Sequence, residues 1–335
     1  MQRIGIIGGG AWGTALALTA RRAGRDVVLW AREAEVAAAI NRDHVNGIFL
    51  PGVALDPAIR ATTELAEAAR GADALLLVAP AQHLRALAEA LARDGAGALP
   101  AVICAKGIEE KSGALLSEAV AAALPEAPLA VLSGPTFAGE VARGLPTAVT
   151  LATAEAKLGR RLIAALGTRS FRPYLAEDVV GAQIGGAIKN VLAIACGIVM
   201  GRGLGDNARA AIVTRGLAEM VRLALAKGGK PETLMGLSGL GDLVLTCTGL
   251  QSRNHSLGVA LGEGRALGEI LAERRSVAEG VSSAAAAAAL AGRLGIDMPI
   301  TAAVDAILHR GAAVDAAIAA LLARPFKSEL PAPLG

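Results

Sequence analysis

Three glycines near the start of the chain restrict its folding more than any other feature. Gly8, Gly10 and Gly13 stand at G-x-G-x-x-G spacing in GGGAWG, directly after the apolar run Arg3–Ile7. That run reads as a short buried strand, and a helix from about Trp12 to Ala23, stopped by Gly24, follows the glycines. Asp26–Trp30 (DVVLW) reads as the next strand. In a strand–turn–helix of this kind the first glycine makes the turn, the second admits a pyrophosphate, and the third lets helix and strand pack closely. Free backbone N–H groups and the helix dipole then face the phosphates. Such glycines are weak evidence in isolation. Between two strands they point to a dinucleotide site rather than to a structural turn.

The end of the second strand bears on which dinucleotide fits. A site that prefers NAD usually places Asp or Glu there, on the ribose 2′-hydroxyl. This chain reads Trp30, Ala31, Arg32, with the first acid, Glu33, one residue later. Arg32 is suited to a 2′-phosphate. A solvated arginine at a helix start is the plainer reading, and Glu33 has room to turn inward. The expectation is NADP(H) as the preferred cofactor, with NAD(H) tolerated.

Strands are expected again over 74–79, 101–105, 129–133, 147–152 and 168–173, with a helix over 81–94. Alternation of this kind implies a mostly parallel sheet covered on both faces, with ligands beyond the carboxyl ends of its strands. Lys106, in CAKGIE, follows one such strand; Ser133, Gly134, Pro135 and Thr136 stand at the end of another. A loop lysine is ordinarily a surface group, and only its place on the ligand edge gives Lys106 a functional reading. After about Ala176 the pattern turns to helices. The expected division is an α/β dinucleotide-binding domain over 1–176, an all-α substrate domain over 177–330 and a tail over 331–335.

The centre of the second part is GAQIGGAIKNVLAIACGIVMG, residues 181–201, apolar or small nearly throughout, with Lys189 as its only charge. Apolar residues surround most of this helix, which therefore belongs in a core. Burial lowers the pKa of an ammonium and poises a lysine to exchange protons near neutral pH. A lysine that snorkels to solvent, or that pairs with an acid elsewhere, fits the helix as well. Further on, residues 236–258 gather Asp242, Thr246, Ser252, Arg253 and Asn254. A surface loop explains glycines and polar groups there, but a Ser-Arg-Asn run also suits a phosphate. The remaining helices, rich in alanine, break at Val277, Ala278, Glu279 and Gly280.

The net charge of +3 gives no reason to expect nucleic acid or a membrane surface. The apolar run Val191–Met200 is too short for the ~20 residues of a spanning helix. Three scattered cysteines and four histidines offer neither a disulfide framework nor a metal-ligand cluster. These features suggest a soluble cytoplasmic protein that needs no metal.

Read together, the motifs resemble the bacterial NAD(P)-dependent glycerol-3-phosphate dehydrogenases almost from end to end. The resemblance is carried by GGGAWGTALA (8–17), NGIFLPG (46–52), CAKGIE (104–109), SGPTFAGEV (133–141), KNVLAIACG (189–197), GLGDLVLTC (239–247) and SRN (252–254), in that order. It implies a Rossmann-type sheet domain followed by a helical one, commonly as a homodimer. The implied reaction is reversible reduction of dihydroxyacetone phosphate to sn-glycerol 3-phosphate, the backbone of glycerophospholipids. By matching motif, Lys189 is similar to the family's proton donor and acceptor, and Lys106 to its substrate-binding lysine. Gly134, Thr136, Asp242, Ser252, Arg253 and Asn254 match positions that hold substrate. Trp12, Arg32, Lys106, Ala138, Arg253, Val277 and Glu279 match positions at the dinucleotide, beside the glycine turn itself.

Ala11 departs from the pattern: it stands where many members have serine, which removes a hydroxyl contact to phosphate that backbone N–H groups are able to supply. Whether Lys106 polarises a carbonyl or holds phosphate stays open at this level. Two alternatives share the cofactor turn. A dehydrogenase of a 3-hydroxy acid or ketoacid would share the helix lysine too; a non-enzymatic NADP(H) sensor would have no use for it.

Overall fold

Ile4, Ile6 and Ile7 lose all contact with solvent because the strand that carries them lies inside a sheet. The computed structural model describes every residue except 250, 274–277, 327 and 329–335. Its strands are β1 (Arg3–Ile7), β2 (Asp26–Trp30), β3 (Val45–Asn46), β4 (Leu50–Ala54), β5 (Arg60–Thr62), β6 (Ala74–Leu77), β7 (Ala101–Ile103), β8 (Leu129–Ser133), β9 (Thr147–Ala152) and β10 (Phe171–Ala176). Eight of them form one sheet in the order β10-β9-β8-β7-β6-β1-β2-β5, parallel throughout except where β8 meets β9. Six of these, β5-β2-β1-β6-β7-β8, reproduce the doubly wound order of dinucleotide-binding sheets. The direction of winding reverses between β1 and β6, and that reversal opens a crevice beyond their carboxyl ends.

Two parts of this layer differ from expectation. β10 begins at Phe171 and runs to Ala176, three residues later than the sequence suggests. A turn delays it: Thr168 Oγ1 accepts from the Phe171 N–H at 2.9 Å, and the Thr168 N–H donates to the Phe171 carbonyl at 2.8 Å. Pro173 is tolerated in β10 because that strand is a sheet edge. The hairpin β3–β4 and the short strand β5 are additions for which the pattern gave no strand signal.

Beyond β10 the chain is helical. Asp178 caps the Lys189 helix (Val179–Gly201) by accepting from the Gly181 N–H at 2.8 Å. This helix of 23 residues is long and apolar enough to cross a bilayer, yet it is buried inside the protein among other helices. Against it pack the helices Gly205–Ala226, Asp242–Thr248, Arg253–Gly262 and Glu279–Leu294. The tightest contact is with Arg253–Gly262. A Cβ on Gly197 would collide with the His255 carbonyl, and one on Gly258 with the Ile194 carbonyl. The two helices meet backbone to backbone, as small residues four apart allow.

Candidate active site

The cofactor side is made mostly of backbone. Gly8 has a φ of +134°, and a Cβ there would lie 2.8 Å from the Ala79 nitrogen. A Cβ on Gly13 would collide with the Gly8 carbonyl. Gly10 is different: within 4 Å of the place its Cβ would take there is nothing, so a side chain there would fill open space in front of the turn. The helix Ala11–Arg22 opens on that space with no side-chain cap, leaving its first N–H groups for a ligand. Ala11 supplies no oxygen, and the buried Trp12 Nε1 has no hydrogen-bond partner among the described residues. Asn46, in the hairpin, steadies the turn by donating to the Gly9 carbonyl and to Thr14 Oγ1, both at 2.8 Å. The arrangement fits a dinucleotide pyrophosphate.

The other cofactor positions are dispersed around this turn. Arg32, at the end of β2, is 74% exposed and lies on its neighbour, Nε and Nη2 reaching Glu33 Oε1 at 3.1 and 2.8 Å. Ala138 opens a short helix, Ala138–Ala142, that packs on the glycine helix. Glu279 Oε1 accepts from the Ala81 N–H at 3.4 Å, just past β6. Burial raises the Glu279 pKa, offset in part by that N–H and by Arg253. Val277 lies outside the described residues.

The chemistry gathers on one carboxylate. Asp242 is fully buried. Its Oδ1 accepts from Lys189 Nζ at 2.5 Å and its Oδ2 from Lys106 Nζ at 2.6 Å. Thr246, one helical turn on, also reaches Oδ1 at 3.3 Å and accepts from Lys189 Nζ at 2.8 Å. Lys106 donates further to the Gly134 carbonyl at 2.8 Å and to Thr136 Oγ1 at 3.3 Å. All three of its N–H directions are therefore engaged, while Asp242 and Thr246 take only two of those of Lys189. Desolvation lowers the Lys189 pKa to about 8; Asp242 pulls it up, and Lys106 pushes it down. Two ammonium groups share one carboxylate, so the cluster keeps a net positive charge when both are protonated.

The Ser-Arg-Asn run forms the start of the neighbouring helix. Ser252 caps it, Oγ accepting from the His255 N–H at 3.2 Å, and Arg253 is exposed at its first turn. Asn254 is buried: Nδ2 donates to Asn190 Oδ1 and Oδ1 accepts from the Gly280 N–H, both at 3.0 Å. It thus joins the Lys189, Arg253 and Glu279 helices. The structure brings Lys106, Gly134, Thr136, Asp242 and Lys189 into one hydrogen-bonded cluster and sets Asn254 beside it. Arg32 stands apart, at the far end of β2.

Sequence reading gave no role to Thr246, Asn190 or Asn46. Thr246 carried a signal, standing four residues after Asp242 on one helix face, and Asn190 is a lone amide in an apolar helix. Among the described residues no three His, Cys, Asp or Glu side chains are grouped to hold a metal.

A glycine turn suited to a pyrophosphate and a buried lysine–carboxylate cluster past the carboxyl ends of strands of the same sheet fit an NAD(P)-dependent dehydrogenase. The particular family follows from comparison. The model of the NAD-dependent glycerol-3-phosphate dehydrogenase N-terminus matches residues 3–159, and that of the C-terminus matches residues 178–319. A glycerol-3-phosphate dehydrogenase (NAD(P)+) from Rhodospirillum rubrum is 63% identical over 98% of this chain and 94% of its own. Another, from Paramagnetospirillum magneticum, is 73% identical over 76% of this chain and 93% of its own. The crystal structure of glycerol-3-phosphate dehydrogenase from Coxiella burnetii superposes with a TM-score of 0.93 at 41% identity, covering 96% of this chain and 99% of that one. The chain belongs to the NAD-dependent glycerol-3-phosphate dehydrogenase family.

Proposed function

We propose that the chain interconverts dihydroxyacetone phosphate and sn-glycerol 3-phosphate, using NADP(H) in preference to NAD(H). The observation that carries this reading is the Lys189–Asp242–Lys106 cluster, in which Lys106 and Gly134 follow the carboxyl ends of β7 and β8, the sheet edge on which the glycine turn follows β1. When bound, the nicotinamide supplies or accepts the hydride at substrate C2. The Gly8–Gly13 turn holds the pyrophosphate, and Arg32 pairs with the 2′-phosphate.

Lys189 acts on the oxygen at C2, giving it a proton in reduction and taking one in oxidation. A pKa of about 8 leaves both forms accessible near neutral pH, as such a group requires. Among the described residues Asp242 and Thr246 take two of its N–H directions, and this reading gives the third to substrate. Lys106, giving up its bond to Gly134 or Thr136, polarises the carbonyl or holds the phosphate. Arg253 offers paired donors to phosphate oxygens from a helix N-terminus, where the dipole also favours an anion. Asp242 aims both ammonium groups by accepting from each, and Asn254 fixes the start of the Arg253 helix to the Lys189 helix.

The same reading places the enzyme in the cytoplasm, as a homodimer, at the entry to glycerophospholipid synthesis. Initial rates with dihydroxyacetone phosphate and NADPH, then NADH, test it. The expected result is turnover with both and a lower KM for NADPH. Oxidation of NADPH by 3-keto acids, with none by dihydroxyacetone phosphate, would instead assign the chain to a related dehydrogenase class.

A further inference from the structure

Lys106 reaches its three acceptors from an irregular stretch of chain: residues 104–115 contain no helix and only an isolated bridge between Ile108 and Leu115. What fixes this stretch is the helix that begins where β6 ends. In its opening turn (Ala81–His83), Gln82 Nε2 donates to the Ile108 carbonyl and Gln82 Oε1 accepts from the Glu110 N–H, each at 2.9 Å. One turn on, Arg85 forks onto Glu109, Nε to Oε1 at 2.7 Å and Nη2 to Oε2 at 2.8 Å, and Ser112 donates to the same carboxylate. Gly107 passes so close that a Cβ there would lie 2.7 Å from Ala81 Cβ. Three successive residues, Ile108, Glu109 and Glu110, are thus gripped from one helix, beginning two residues beyond Lys106.

A lysine side chain has four rotatable bonds, and its reach is set only if its backbone is. We propose that Gln82 is a positioning residue for Lys106: its carboxamide splints residues 108–110 to the helix at the β6 end of the crevice, and so holds the ammonium on Asp242. Gln82 suits the task because one uncharged amide satisfies both a carbonyl and an N–H on either side of Glu109. The Arg85–Glu109 fork, 35% exposed at Arg85 and 12% at Glu109, holds the residue between those two bonds and braces the same stretch through its side chain rather than its backbone. The proposal rests on Lys106 acting in the site, as read above.

The test compares Gln82→Ala, Lys106→Ala and the double variant in the full chain, with NADPH and dihydroxyacetone phosphate. Gln82→Ala is expected to lower reductive kcat roughly ten- to a hundredfold, the usual result of misplacing a group by about 1 Å, and to raise KM for the ketone. NADPH affinity, read by fluorescence, stays unchanged. In the Lys106→Ala background the same substitution costs little further, because both act through one group. The groups facing Lys189 are Asp242, Thr246, Lys106 and Cys247; withdrawing Lys106 removes a neighbour that holds the Lys189 pKa down. The alkaline limb of the reductive profile therefore moves to higher pH.

An equal loss in the Lys106→Ala background, an unmoved limb or weakened NADPH binding overturns the splint. Lys106→Ala inactive with Gln82→Ala silent overturns the splint alone, whereas a fully active Lys106→Ala overturns the reading of Lys106 and the splint with it. Should Gln82→Ala fail to fold, Gln82→Glu keeps the length and the acceptor for Glu110 but loses the donor to Ile108, and the same signs are expected.

Discussion

The glycine turn and the lysine cluster both lie past the carboxyl ends of strands in one sheet but are built on opposite principles. The turn uses backbone from six consecutive residues, Gly8 to Gly13, and works because side chains are missing. The cluster uses side chains from residues 106, 136, 189, 242 and 246, brought together by the packing of helices on a sheet end. A backbone device binds any dinucleotide pyrophosphate alike. A side-chain device is able to distinguish a substrate and move its proton. In the proposed function, accordingly, specificity for the dinucleotide falls to a side chain outside the turn, Arg32.

The sharpest way to break this contrast is Lys189→Met. Methionine keeps the apolar stem and packs at little cost. Loss of a general acid is worth 10²–10⁴-fold, so reductive kcat is expected to fall roughly a thousandfold while NADPH affinity is kept. A folded variant that retains more than about a tenth of wild-type turnover would remove Lys189 from the proton-transfer role.

Arg32→Ala comes next in size. Loss of a charge-assisted contact to a 2′-phosphate is worth about 1.5–3 kcal/mol, or roughly ten- to a hundredfold in NADPH affinity, with NADH little changed. Equal weakening of both cofactors would show that Arg32 supports the fold of the site rather than reading the phosphate.

Gly10→Ala should be milder and indiscriminate. The added methyl enters open space, so the thermal midpoint should hardly move, while both cofactors weaken by about 1 kcal/mol, about fivefold. A preference that shifts toward either cofactor would mean that the turn is not the neutral half of the site.

The smallest effect is on pH profiles. Reduction needs protonated Lys189 and falls as pH rises through about 8; oxidation needs the neutral amine and rises through the same value. Asp242 is the group that pulls this pKa up, so Asp242→Asn should shift both limbs to lower pH, provided that the variant folds. Taking the carboxylate from the buried Lys189 costs about 3–5 kcal/mol, which differential scanning calorimetry would register as a lower Tm. An unmoved limb would detach the titration from this cluster.

The two devices also differed in how far the sequence disclosed them. The turn is local, so spacing between two strands was enough to find it, and the doubly wound order around it followed from alternation. The cluster was legible only as residue types. Lys189 read equally as a proton donor or as a lysine paired with a distant acid; the structure supplies the acid, Asp242, shared with Lys106, while the donor role belongs to the proposed function. No periodicity predicts that two lysines 83 positions apart meet on one carboxylate, because the meeting is set by where a helix crosses a sheet end. Thr246, though noted beside Asp242, and Asn190 received no role for the same reason. The late start of β10 had a different cause, a Thr168 side-chain turn that outcompeted strand pairing.

The seam between the Lys189 and Arg253 helices has one further consequence. Because backbone rests on backbone at Gly197 and Gly258, the spacing of the two rods is a hard stop, with no side chain left to compress. In the proposed function one rod carries the ammonium assigned to the C2 oxygen, and the other begins with the guanidinium assigned to the phosphate. On that reading the seam is a calliper closed to its minimum gap, and it sets the spacing of the two groups. A substituent on either glycine would open the jaws, and a mutated seam would sooner accept a longer substrate than a shorter one.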